Sequence, residues 1–92
     1  MGDKAKAQRR HAKTRALQRY DLDLSREDLE ELVRQIQLGK AEFILRQSCR
    51  VSFFAVELRG QKFPVVYDKQ RKTIVTVLPC EGYLDAEGRV IK

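Results

Sequence analysis

Residues 24–46 read LSREDLEELVRQIQLGKAEFILR, and the change of rhythm inside this stretch decides the fold. Ser25 is placed as a helix N-cap, with Asp28 at the third helical position, where a capping-box acid belongs. Leu24 and Leu29 flank that cap as a hydrophobic staple. Leu29, Leu32, Val33 and Ile36 recur at helical spacing, and Gly39 stands where a helix C-terminus favours glycine. The acids gather near the N-terminus, on the side the helix dipole prefers. The pattern predicts an amphipathic helix over residues 25–38.

Beyond Gly39 the period becomes that of strands. Glu42–Gln47, Val51–Arg59, Lys62–Asp68 and Lys72–Leu78 are rich in Val, Ile, Phe, Tyr and Thr, with short turn-like gaps between them. With Gly60-Gln61 as a two-residue turn, Phe54, Val56 and Leu58 share a face with Phe63, Val65 and Tyr67. That apolar face is expected to pack on helices. The other face carries Phe53, Ala55, Glu57, Arg59, Lys62, Pro64 and Val66 and is expected to be open. Pro64 removes a ladder donor, which predicts a bulge or a start of pairing delayed to Val65. The turn around Lys69-Gln70 fits two, three or four residues, so the face of Thr76 stays open. Residues 80–92 form a tail, with a turn signal from Asp85 to Gly88 suited to a short hairpin.

Ahead of the central helix, residues 4–20 are rich in Ala, Arg, Lys and Gln and predict a second helix. On a helical wheel Ala5, Ala12, Ala16, Leu17 and Tyr20 fall on one side, and Lys4, Gln8, His11, Arg15, Gln18 and Arg19 on the other. The apolar side is thin, so residues 1–10 are expected as a basic head prone to fraying. The linker from Tyr20 to Leu24 is short enough for a helical hairpin. The expectation is one α+β domain over residues 1–92, with two N-terminal helices on one face of a four-stranded antiparallel meander.

The chain has 92 residues, 42% of them hydrophobic and 35% charged, enough for one modest core. Its net charge of +6 is polarised. Residues 1–20 set seven cations against Asp3 alone, residues 21–38 are acidic, and the remainder is mildly basic. A basic molecule of this kind attracts polyanions. No stretch is apolar enough to span a bilayer and no signal-peptide pattern opens the chain, which points to the cytoplasm and to no membrane partner. Cys49 and Cys80 are expected to be reduced, since no secretion signal accompanies them. With one histidine and no C-x-x-C pair, neither a tetrahedral zinc site nor another metal cofactor is expected.

Several segments together carry a resemblance. A helix with H-x-x-x-R (His11, Arg15) leads into R-Y-D-L-D-L-S-x-E-D-L (Arg19 to Leu29) and I-x-L-G-K-A (Ile36 to Ala41). The sheet follows with V-V-Y-D-K (Val65 to Lys69) and T-I-V-T-V-L-P (Thr73 to Pro79). From about His11 to Pro79 the chain resembles a group of small bacterial and phage proteins related to the barnase, colicin D/E5 and RelE-like ribonuclease superfamily. The resemblance implies a helices-then-meander fold, an RNA-facing sheet surface and a metal-independent, toxin-like ribonuclease as the parent activity.

Cleaving RNA without metal needs a base for the 2′-hydroxyl, an acid for the leaving oxygen, and cations for the charge at phosphorus. His11 is the one side chain with an unperturbed pKa near neutrality. Arg15 and Arg19 follow it at one-turn intervals, and Glu57 is the strand carboxylate suited to partner it. The catalytic candidates are therefore His11, Arg15 and Glu57. Candidates for nucleic-acid contact are Arg9, Arg10, Arg15, Arg19, Arg50, Lys62 and Tyr67, with Phe53 available to stack a base. Each has a plainer alternative: a solvated basic helix face, a Glu57–Lys62 surface pair, a core tyrosine, a sheet-packing phenylalanine. Two functions follow. One is an RNA-engaging, metal-independent endoribonuclease. The other is a non-catalytic phage or mobile-element protein that binds RNA or another nucleic acid, or blocks a host protein. A host protein or cognate antitoxin is the alternative partner.

Overall fold

A computed structural model describes residues 4–91, with side chains from 7 to 91. Its elements run α1 (Lys4–Tyr20), α2 (Arg26–Gln37), β1 (Glu42–Arg46), β2 (Val51–Leu58), β3 (Gln61–Asp68) and β4 (Thr73–Val77). The strands form one antiparallel sheet in the order β1-β2-β3-β4, and both helices lie on the same face. The α+β meander expected from the sequence is present. The expected fraying of residues 1–10 falls partly outside the described residues, and the helix is continuous from Lys4. The wheel positions of Lys4 and Ala5 lie outside the described side chains.

Helix α2 starts as its sequence predicts. Ser25 Oγ accepts from the Asp28 N–H at 3.0 Å, and Asp28 Oδ2 accepts from the Ser25 N–H at 2.9 Å. The bond from Ser25 holds the Asp28 carboxyl below its ordinary pKa, and the Arg59 guanidinium at 2.8 Å adds to the effect. At the other end Gly39 takes φ +75°, and the Lys40 N–H reaches the Gln35 carbonyl at 2.8 Å. This closes the helix at a residue with no Cβ to oppose the turn.

Helix α1 packs on β4 through Ala12 and Ala16, both fully buried. Two alanines one turn apart let the helix come close to the sheet. Leu17, expected on this face, is 52% exposed. It stands about 100° beyond Ala16 on the wheel, outside the narrow alanine contact. Tyr20 ends the helix with its ring 5.3 Å from Phe63 and its hydroxyl donating to the Leu78 carbonyl. Burial and contact with Cys80 push the Tyr20 phenol up. Asp21 then reverses the chain at φ +56°.

The core between helices and sheet contains Leu24, Leu29, Leu32, Val56, Phe63, Val65, Tyr67, Ile74 and Val77. Burial of each large apolar side chain contributes about 1.5–3 kcal/mol. The β2–β3 turn is Arg59-Gly60, at φ +53° and +80°, not Gly60-Gln61. Leu58 therefore pairs with Gln61 and Val56 with Phe63. The register moves by two, so each residue keeps its expected face.

The second sheet face differs from expectation. Phe53, Ala55, Pro64 and Val66 are buried, and the tail lies on this face, with Tyr83 on Phe53 and Leu84 near Glu57 and Lys62. Tyr83 meets Phe53 edge-on at 5.8 Å, Leu84 is buried, and Leu84 pairs with Val90 in a one-bridge hairpin around Asp85. Small and apolar side chains on this face favour a cover, and the tail supplies one through Tyr83 and Leu84.

Pro64 causes no bulge against β2, where the register runs unbroken. Its carbonyl accepts from Leu78 N–H at 2.9 Å, so its nitrogen also faces β4, where pairing begins at Val65–Val77. Thr76 pairs with Val66 and so lies on the tail-covered face. Four residues, 69–72, connect β3 to β4. Asp68, 1% exposed, organises them: Oδ1 accepts from the Gln70 and Arg71 N–H groups, and Oδ2 from the Arg71 guanidinium at 3.0 Å and Gln8 at 3.3 Å. Burial works to raise its pKa, but these bonds outweigh burial and hold the carboxyl below its ordinary value.

Candidate nucleic-acid interface

The alanine contact of α1 with β4 divides the helix's basic residues between two flanks. On one flank, His11 lies with Ala7 and Gln8 against Val75, the bulged residue of β4. Arg15 is half-buried and donates to Gln18 at 3.4 Å, and Arg19 is exposed. On the other flank, Arg9, Arg10 and Lys13 face the start of α2, where Arg26 and Leu29 complete a groove of about 340 Å³. Arg9 also borders a second groove of about 320 Å³, which runs along α2 past Arg34 and Gln37 to Lys72 and Thr73.

These adjoining grooves gather six cations: Arg9, Arg10, Lys13, Arg26, Arg34 and Lys72. Among the described residues, Glu30 is the one carboxylate lining them. Arg26 contacts Glu30 at 3.5 Å with both side chains exposed, and Arg34 pairs with Glu31. Such surface pairs are worth about 0–1 kcal/mol and open readily to a competing anion. Among the described residues, no carboxylate lies within ion-pair distance of Arg9, Arg10, Lys13 or Lys72. Of the acidic segment, Glu30 and Glu31 pair with Arg26 and Arg34, while Glu27 lies outside the grooves' lining. This leaves Arg9, Arg10, Lys13 and Lys72 as the unpaired part of the cluster among the described residues.

The other expected site residues are dispersed. Glu57 is exposed opposite Lys62 in the β2–β3 ladder. Val75 stands near the Val66–Phe53 row, and Glu57 is four residues beyond Phe53 and two strands across. Strand rise and spacing put it about 13 Å along and about 10 Å over from the His11 groove. The structure does not bring His11 and Glu57 together. Arg50 sits in the β1–β2 turn and donates to Gln70 at 2.8 Å, tying two turns together. Tyr67 is buried in the core, but its hydroxyl accepts from Gln37 at 3.4 Å at the end of the second groove. Phe53 is covered by Tyr83. Both cysteines are free thiols, Cys49 exposed and Cys80 beside Tyr20. Among the described residues no group of three His, Cys, Asp or Glu side chains is placed to hold a metal, and no helix is long and apolar enough to cross a membrane.

Lys13, Arg26, Arg34 and Lys72 were not among the sequence-based candidates. The signal for Lys13 was its position between Arg10 and Arg15. Nothing local marks Arg26, Arg34 or Lys72, which join the cluster through helix docking and the conformation of the β3–β4 turn. Comparison with protein-family models, curated proteins and solved structures found no match to this chain.

Proposed function

We propose that this chain is an RNA-binding domain on a barnase/RelE-like scaffold, and that it acts by binding rather than cleavage. The observation that carries the reading is that, among the described residues, six cations line the α1–α2 grooves against a single carboxylate. Guanidinium groups suit bidentate contact with phosphate, and four of the six cations are arginines. The spacing of His11 and Glu57 supports binding over cleavage, since an acid and a base must reach the same phosphodiester. The resemblance in sequence supports RNA as the nucleic acid.

The test is a salt titration of binding to a labelled single-stranded RNA. For the unmodified protein, log K falls linearly with log salt, with a slope of about −0.7 per phosphate contact released. The double variant Arg9→Gln, Lys13→Gln binds more weakly and with a slope shallower by about 1.4. An unchanged slope would exclude the groove as the contact and return attention to a protein partner.

A further inference from the structure

Strand β1 carries a bulge that places one aromatic ring in the open. Phe43 pairs with Phe54 and Leu45 with Phe53, leaving Ile44 as the extra residue. Without the bulge Phe43 and Leu45 would share a face; with it, Phe43 joins the helix face. Neither helix covers that end of the sheet. Helix α1 lies on β4 and α2 ends at Gln37, so Phe43 is 54% exposed.

Phe43 is the outer member of a row. Its ring stands 5.7 Å from Phe54 at 74°, and Phe54 stands 6.2 Å from Tyr67 at 79°. In any such edge-to-face contact at least one face of Phe43 is left uncovered by Phe54. Arg46 projects on the same face, because it pairs with Ser52, which in turn pairs with the core residue Tyr67. Arg46 has no carboxylate within ion-pair distance among the described residues. Gln37 links the row to the basic surface, since it both lines the second groove and donates to the Tyr67 hydroxyl.

We propose that Phe43, backed by Phe54 and Tyr67 and flanked by Arg46, is the stacking platform for an unpaired base of the bound RNA. The preferred partner is then a single strand, with phosphates along the α1–α2 grooves and a base on Phe43. A duplex keeps its bases stacked on each other and offers no free face to the ring. This inference rests on the reading of the grooves as the phosphate contact. Charge attracts the strand, and the ring selects it for being unpaired.

The experiment compares a labelled 12-nucleotide oligouridylate with an RNA duplex of equal length, using the full chain. Phe43→Ala is expected to weaken single-strand binding roughly ten-fold, to leave the salt slope unchanged and to leave duplex binding unaffected. Because the chain contains no tryptophan, the Phe43→Trp variant reports from this position alone, and it is expected to retain binding and to lose fluorescence as the oligouridylate is added. If Arg9→Gln, Lys13→Gln weakens binding while Phe43→Ala does not, the grooves stand and the platform is overturned. Absence of quenching in a binding-competent Phe43→Trp protein overturns it as well. If the unmodified protein binds neither RNA, the groove reading falls and the platform with it.

Discussion

The side-chain amide of Gln35 pairs with both backbone groups of Glu57: its Nε2 donates to the carbonyl at 2.8 Å and its Oε1 accepts from the N–H at 3.2 Å. Strand β2 runs three residues past the first β1 pair, Glu42–Ala55, so this edge has no strand beside it. One side chain of α2 stands in for the missing strand and locks the helix to the sheet. Gln35→Ala is expected to cost about 1 kcal/mol, because water replaces the lost bonds at an exposed edge. Urea unfolding would show a lower midpoint with an unchanged slope.

Asp68 makes stability depend on pH. Its folded pKa lies below the unfolded value near 3.9. Its contribution is therefore complete above that range and is lost as the pH falls through it toward the folded value. Asp68→Asn is expected to cost about 1.5–3 kcal/mol at neutral pH, the range for bonds to a charged group. The difference from the unmodified protein should shrink below about pH 4. Thermal unfolding across pH 3–7 would check this; a constant difference would show that the charge of Asp68 is not what the turn requires.

A stabilising change is available at Asp21. A non-glycine residue at φ +56° carries a steric cost, and a carboxylate at a helix C-terminus opposes the dipole. Asp21→Gly is expected to raise stability by about 0.5–1 kcal/mol, measured as an increased urea midpoint.

The tail is structural. Leu84 is buried against the sheet face that carries Phe53 and Val66, so Leu84→Ala should cost about 2–4 kcal/mol. Equilibrium unfolding would measure it. A loss near zero would mean the tail is not held on that face in solution.

His11 is expected to be dispensable for RNA affinity, with His11→Ala changing Kd by less than about two-fold, since it lies on the opposite flank of α1 from the grooves. RNA incubated with the protein in EDTA should remain intact. Cleavage yielding 2′,3′-cyclic phosphate ends, abolished in His11→Ala, would instead establish a metal-independent ribonuclease.

Much of this architecture is legible in local signals. The capping box of Ser25 and Asp28, the stop at Gly39 and the four strands depend on residues close together in the chain, and all are where the sequence places them. Face assignment in β2 and β3 survived a turn displaced by one residue, because parity alone decides it. The tail's role was not legible. Tyr83 and Leu84 have no periodicity, and their cover over Phe53 is a contact across some thirty residues.

The sequence alone determined the elements, their order, the inward face of the sheet and a surplus of positive charge, since propensity, period and charge are properties of short segments. The tertiary structure decided where that charge acts. Docking α1 through Ala12 and Ala16 sent Arg9, Arg10 and Lys13 toward α2 and His11 toward β4. A single extra residue at Ile44 brought Phe43, not Phe53, to the exposed end of an aromatic row. Both outcomes depend on how rigid elements fit against one another, and a difference of one residue in register or about 100° in helix rotation changes which side chain meets solvent.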